Sequence, residues 1–294
     1  MSSTPMTSRG LAPVWRALKK NRGALISFWF LVFLTTVAVF APWLSPHSPT
    51  QVYTEHFRSP PVWMSGGSFE FFLGTDDLGR DLLSRLMYGA RVSLAVGLMV
   101  VSLSLSVGLV LGVLAGYFGG RLDSLIMRLV DILMSLPSIL LAIVIVAVLG
   151  PSLTNSVIAV SVVSLPNFIR IIRGAVMAEK MKSYVDATHG FGASHFRVAV
   201  LNILPNCMAP IIVQATLGFS DGILNVAALG FLGLGAQPPT PEWGAMLSDS
   251  RAYIESAWWL VTLPGLCILV VVLSFNILGD GLRDALDPKL KGRL

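Results

Sequence analysis

Few residues in this chain are of a type that performs chemistry, and their spacing says how little chemistry is on offer. Two carboxylates, Asp131 and Asp221, lie within or at the border of long apolar stretches. Two facing acids could act as general acid and base, but these two fall at different depths and neither has a supporting motif. The four histidines, His47, His56, His189 and His195, read as loop residues without metal-ligand spacing. No G-x-x-x-x-G-K-S/T phosphate loop and no H-E-x-x-H occurs. Cys207 and Cys267 stand 60 positions apart in apolar surroundings and read as core fillers. The expectation is therefore no catalytic residue, no metal and no cofactor. Asp221 still needs a reason, because a carboxylate facing lipid is costly. It sits near Gly218, Ser220, Gly222 and Asn225. Either Asp221 and Asn225 line a polar pathway, or they contact another helix or a partner chain.

A second region of interest is 173–206. It carries Lys180, Lys182 and Arg197, and the run Tyr184-Val185-Asp186-Ala187-Thr188-His189-Gly190-Phe191-Gly192-Ala193. Tyr184, Ala187 and Phe191 share one helical face, after which Gly190 and Gly192 break the helix. A short helix with an apolar face, followed by glycines, can seat in another protein's groove.

These residues are positioned by an apolar chain. Of 294 residues, 54% are hydrophobic and only 13% are charged, against about 25% charged in soluble domains; the mean hydropathy is +0.74. A soluble enzyme, a disordered regulator and a disulfide-stapled module are excluded. The net charge of +5 suits membrane orientation rather than nucleic acid, because the basic residues cluster in short stretches. A spanning helix needs about 20 apolar residues. Uncharged or nearly uncharged stretches predict six spans: 23–44, a second from 92 to 120, a hairpin of 125–149 and 155–173 turning at Gly150-Pro151-Ser152, then 207–232, and finally 256–279. With the N-terminus in the cytoplasm, 16 of the 21 Lys and Arg fall on the inward side, so both termini, 1–22 and 281–294, are expected inside. The outward segment 45–91 is expected to hold an interfacial helix starting at Thr75. Its apolar stripe would be Leu78, Leu82, Leu83, Leu86 and Ala90, and Asp81 and Arg85 would pair at i,i+4. Arg128 and Asp131 are expected to pair at the inner end of the third span.

Several motifs resemble one family. Asp186-Ala187-Thr188, Gly192 and Leu204-Pro205 keep the spacing of the EAA motif of ABC importer permeases, with Asp for Glu, Thr for the second Ala, and Asn202 at the Ile position. Gly74-Thr75-Asp76-Asp77-Leu78-Gly79-Arg80-Asp81 looks like the segment before the second span of peptide-type permeases. Phe231 to Gly244, reading FLGLGAQPPTPEWG, looks like their last outward loop, and Gly279 to Pro288, reading GDGLRDALDP, looks like their C-terminal signature. The chain is identified as a member of the dipeptide/oligopeptide/nickel permease family, as the second ("C") permease subunit.

The resemblance implies an all-α integral membrane protein of ABC importer permease type, without enzymatic activity of its own, in the bacterial inner membrane. It implies a heterodimer with a homologous permease subunit and two cytoplasmic ATPase subunits. It also implies a periplasmic or lipid-anchored binding protein delivering peptide, most simply dipeptide. Nickel, glutathione and antimicrobial peptides are alternative cargoes within the family. An ATPase-independent channel and an intramembrane enzyme are the readings outside it. The family's ATPase coupling loop maps onto Tyr184, Asp186, Ala187, Gly192, Leu204 and Pro205.

Overall fold

The computed structural model describes residues 11–286, with side chains from Trp15; the remainder of the expected tails 1–22 and 281–294 lies outside the described residues. The chain runs through α1 (Leu11–Lys20), α2 (Arg22–Val39), α3 (Ala41–Leu44), α4 (Leu82–Phe118), α5 (Gly120–Met134), α6 (Ser138–Leu149), α7 (Leu153–Lys180), α8 (Ser183–Gly190), α9 (Met208–Phe231), α10 (Trp243–Ser250) and α11 (Trp259–Leu286). The protein is all-α, with no strand among the described residues beyond an isolated bridge between Thr75 and Asp81.

Five helices, α2, α4, α7, α9 and α11, are long and apolar enough to cross a membrane; α5 and α6 make a sixth crossing only if counted as one broken span, bent by 89°. The straight third span expected over 125–149 is thus corrected. The break falls at Ser135-Leu136-Pro137. Proline disfavours helical backbone in the residue before it and has no N–H to donate.

The interfacial helix expected from Thr75 is also corrected. Residues 75–81 form a buried turn, and the helix starts at Leu82. Asp81 caps it, its Oδ2 accepting from the Ser84 N–H at 3.0 Å. α4 then runs 37 residues to Phe118 without interruption, a length of about 55 Å, longer than a hydrocarbon core of about 30 Å.

The core forms where α4, α7, α9 and α11 pack together. Gly108, Gly112 and Gly116 make a row along α4 against Phe168, Ile172 and Val176 of α7. A Cβ on any of the three would meet those side chains at 2.6 to 2.9 Å. In lipid, where burial of apolar surface gains nothing, such close backbone approach is what binds helices. α2 packs on α11 and α4 as a peripheral span.

Candidate coupling loop and pathway face

Between α7 and α9 the chain projects a compact loop: α8, a π-helical turn Arg197–Ile203 and a single 3₁₀ turn Leu204–Asn206. Its anchor is Glu179 at the end of α7, which is buried and accepts from Lys182 Nζ at 2.6 Å and Tyr184 Oη at 2.9 Å. Tyr184 Oη also lies 3.3 Å from the Asn202 carbonyl and 3.2 Å from Asn206 Nδ2. Burial raises the Tyr184 phenol above its ordinary range, so it remains a neutral donor. Tyr184 therefore faces inward and ties α8 to the following turn. The structure does not place it on the exposed face with Ala187 and Phe191, and Val185 is the other inward residue.

What faces out is Asp186, Ala187, Gly190, Phe191 and Gly192. Phe191 is 93% exposed and Phe196 74%, a large apolar surface outside the spans. Gly192 closes α8 with φ +80° and donates to the His189 carbonyl at 2.9 Å. No atom lies within 4 Å of where its Cβ would sit, so only backbone conformation demands glycine there. Leu204 packs into the core under the loop, while Pro205 is exposed.

The histidine reading is corrected here. His189 lies on α8, not in a loop. His189 Nε2 and His195 Nδ1 sit 3.0 and 2.9 Å from Tyr117 Oη in the last turn of α4. Lys180 Nζ donates to the Tyr117 carbonyl at 2.6 Å. The loop is thus held by α4 as well as α7, a link that local spacing could not show because Tyr117 is 72 residues from His189. No group of three or more His, Cys, Asp or Glu that could hold a metal converges among the described residues.

The second site is one face of α9. Asp221 is exposed, and its carboxylate has no hydrogen bond or ion pair among the described residues. Gly218, Ser220 and Gly222 do not surround it; they face inward, Gly218 against Phe168, Gly222 against Val100, and Ser220 Oγ 2.7 Å from Asn276 Oδ1. Asn225 does share the Asp221 side, but its Nδ2 folds back 2.8 Å to the Asp221 carbonyl. Asp131 does not pair with Arg128. It meets Arg170 at 2.6 Å, and the neighbouring Asp123 is held bidentately by Arg173 at 2.5 and 2.7 Å. Asp131 is thus paired with Arg170, and no acid is in contact with the Asp221 carboxylate among the described residues.

The segment before α4 is closed by buried charge. Asp76 Oδ2 pairs with Arg80 Nε at 2.6 Å and Arg85 Nε at 3.2 Å. Asp81 does not pair with Arg85, which instead donates to the Pro49 carbonyl at 3.2 Å. In the loop between α9 and α10, burial raises the Glu242 carboxyl above its ordinary range. It caps α10 by accepting from Gly244 and Ala245 N–H at 2.9 and 2.8 Å. The buried Trp243 Nε1 donates to the Leu86 carbonyl at 3.2 Å.

The described residues form a helical bundle with five to six candidate spans and a projecting loop between α7 and α9, the frame of a multi-pass membrane protein. The family model for the binding-protein-dependent transport system inner membrane component matches residues 108–292, and that for the N-terminal TM domain of oligopeptide transport permease C matches 11–61. The chain belongs to the family of binding-protein-dependent transport system inner membrane components, as a multi-pass permease subunit of a bacterial ABC importer. Within it, the chain is 56% identical over 281 residues to the di/tripeptide transport system permease protein DppC of Pseudomonas aeruginosa, covering 96% of this chain and 93% of that protein. It is 54% identical to the dipeptide transport system permease protein DppC of Escherichia coli K12, covering 98% and 96%. A glutathione transport system permease protein GsiD of Escherichia coli is 43% identical, covering 95% and 90%. Among solved structures, a chain of the MetNI methionine ABC transporter in an inward-facing form matches at a TM-score of 0.58 and 18% identity. That match covers 70% of this chain and 98% of the other, a likeness of fold.

Proposed function

We propose that this chain is the second permease subunit of an ATP-driven importer of dipeptides. It would form a heterodimer with a homologous permease, over two cytoplasmic ATPase subunits. A periplasmic or lipid-anchored binding protein would deliver the cargo. The observation that carries the reading is the pairing of two features in one chain. One is a projecting loop with exposed Phe191 and Phe196; the other is an unpaired carboxylate, Asp221, midway along a span. The first suits docking to a soluble partner, and the second suits a water-filled path between two permeases. High identity to dipeptide permeases favours dipeptide over glutathione as cargo.

In this reading both termini and the 183–206 loop lie in the cytoplasm, and 45–81 and 233–257 lie outside. The basic residues near the described inner ends, Arg16, Lys19, Lys20, Arg22, Arg170, Arg173, Lys180 and Lys182, support that orientation. Single cysteines at Ser48, Ser183 and Ser248 of a Cys-free version test it. An impermeant thiol reagent outside sealed right-side-out membranes should label the first and third only. Labelling at the Ser183 position would reverse the topology.

ATP-driven uptake by the complete transporter in proteoliposomes tests the function. Asp221→Leu is expected to lower uptake of peptides with a free amino terminus at least tenfold, with subunit assembly retained. Uptake equal to the unsubstituted transporter would take Asp221 out of the pathway. Loss of assembly would make it a subunit contact.

A further inference from the structure

Below Asp221 on the same side of α9 lies a cavity of about 460 Å³, between the inner halves of α7, α9 and α11. Ile171, Val213, Leu217 and Leu286 give it apolar walls, and Gln214 and Arg283 contribute its principal polar side chains. We infer that this cavity is an exit station, in which Arg283 holds the carboxylate end of a translocated peptide before its release to the cytoplasm. The inference rests on the reading of the chain as a peptide permease.

Four observations support it. The volume falls within the range of about 300–1,000 Å³ typical of small-ligand sites, which are mostly apolar with a few convergent polar groups. Arg283 is exposed and has no hydrogen bond or ion pair among the described residues. Its planar fork matches a carboxylate. Gln214, Leu217 and Asp221 recur at helical spacing and so occupy one stripe of α9. Gly279 of α11 lies against Leu217, and Ser220 meets Asn276, so the antiparallel pairing sets Arg283 deeper toward the inner side than Asp221.

The two polar groups are set at different depths. Gln214 and Asp221 are seven positions apart along the helix, a rise of about 10 Å. An extended dipeptide reaches only about 7 Å. The Asp221 side chain and the longer side chains of Gln214 and Arg283 close part of that gap, so a dipeptide with its amine near Asp221 has its carboxylate directed toward Gln214 and Arg283. Two oppositely charged stations in series suit a zwitterion: the carboxylate of Asp221 takes the amine, and the guanidinium of Arg283 takes the far end.

The complete transporter in nanodiscs, without the binding protein, can be photolabelled with a dipeptide carrying a benzophenone side chain. Label is expected within 209–217 or 283–286. Arg283→Gln, or amidation of the peptide's carboxyl terminus, should each raise the half-saturating concentration about tenfold. Amidation should add nothing in the Gln variant, and Arg283→Lys should retain most of the binding. If Arg283→Gln does not assemble, amidation on the unsubstituted transporter decides alone. Label that is absent from the cavity or indifferent to amidation would overturn the inference. So would occupation by a photoactivatable anionic phospholipid that dipeptide does not displace. ATP-driven uptake of the unmodified dipeptide in proteoliposomes, with the binding protein supplied, is the separate control. Uptake without cavity label sinks only the exit station, whereas no uptake sinks the peptide-permease reading itself.

Discussion

Gly192→Val and Ala187→Glu are each expected to abolish substrate-stimulated ATP hydrolysis by the assembled transporter, while membrane insertion and pairing with the second permease persist. The two substitutions act differently on the same loop. Gly192 has φ +80° with open space around it. A β-branched residue there meets no neighbour, but left-handed backbone costs it about 1–2 kcal/mol. The turn from α8 into Ser194 is then redrawn, and with it the seat of His195 on Tyr117. Ala187 is exposed on the outward face of α8. Glutamate there leaves the fold unstrained and puts a long charged side chain beside Asp186 in the surface offered to the partner. A buried, unpaired charge at such an interface costs several kcal/mol, or a hundredfold or more in affinity. Co-purification of the ATPases and their hydrolysis in proteoliposomes are the measurements. Wild-type docking and hydrolysis in both variants would show that this loop does not transmit the stroke.

Tyr184 shows which part of this site was legible in the sequence and which was not. The EAA-type spacing located the loop, and the glycine at 192 marked its turn, because backbone demands are written locally. Periodicity alone put Tyr184 beside Ala187 and Phe191. The structure turns it inward to Glu179, Asn202 and Asn206, since a phenol three residues from another residue can serve either face of so short a helix. The same limit explains α5 and α6. Hydropathy over 125–149 reads as one span, and Pro137 was the signal of the bend, but a sum over a window averages a single proline away. It also explains the outer segment. Asp77, Arg80, Asp81, Ser84 and Arg85 looked like the wet side of an amphipathic helix because charged side chains are mostly exposed. All but Asp77 are buried, and Arg80 and Arg85 pair with Asp76 in a turn whose further partners, Pro49 and Ser59, come from well upstream in the chain. The glycine row of α4 was readable for the opposite reason: small residues four apart lie on one face whatever they meet.

That buried turn holds an ion-paired carboxylate whose loss has a large expected effect on stability. Asp76→Asn is expected to destabilise the folded chain by about 3–5 kcal/mol, the usual cost of removing one side of a buried ion pair. Asp76 Oδ1 accepts from the Leu78 and Arg80 N–H groups at 3.0 and 2.8 Å, and Oδ2 serves two arginines. An amide can keep the first pair of contacts. It cannot neutralise Arg80 and Arg85, which are 4% and 2% exposed. The cavity beside them is about 10 Å³, at or below the minimum for one water, so no anion can take the place of the carboxylate. Asp77 is the internal comparison. It lies 3.8 Å from Arg80 and is partly exposed. Burial, and then the charge of Asp76, hold its carboxyl above the ordinary range. Its folded value is raised, so its contribution is fully present below the unfolded value and is lost as pH rises through the folded one. At neutral pH its charge opposes folding. Asp77→Asn should therefore be neutral or slightly stabilising at pH 7 and should remove that pH dependence, whereas Asp76→Asn lowers the midpoint by roughly 10 °C. Thermal unfolding of the detergent-solubilised transporter at pH 4 to 8 reads both. Equal losses from the two substitutions would mean that the turn is held by its backbone hydrogen bonds and not by the charge of Asp76.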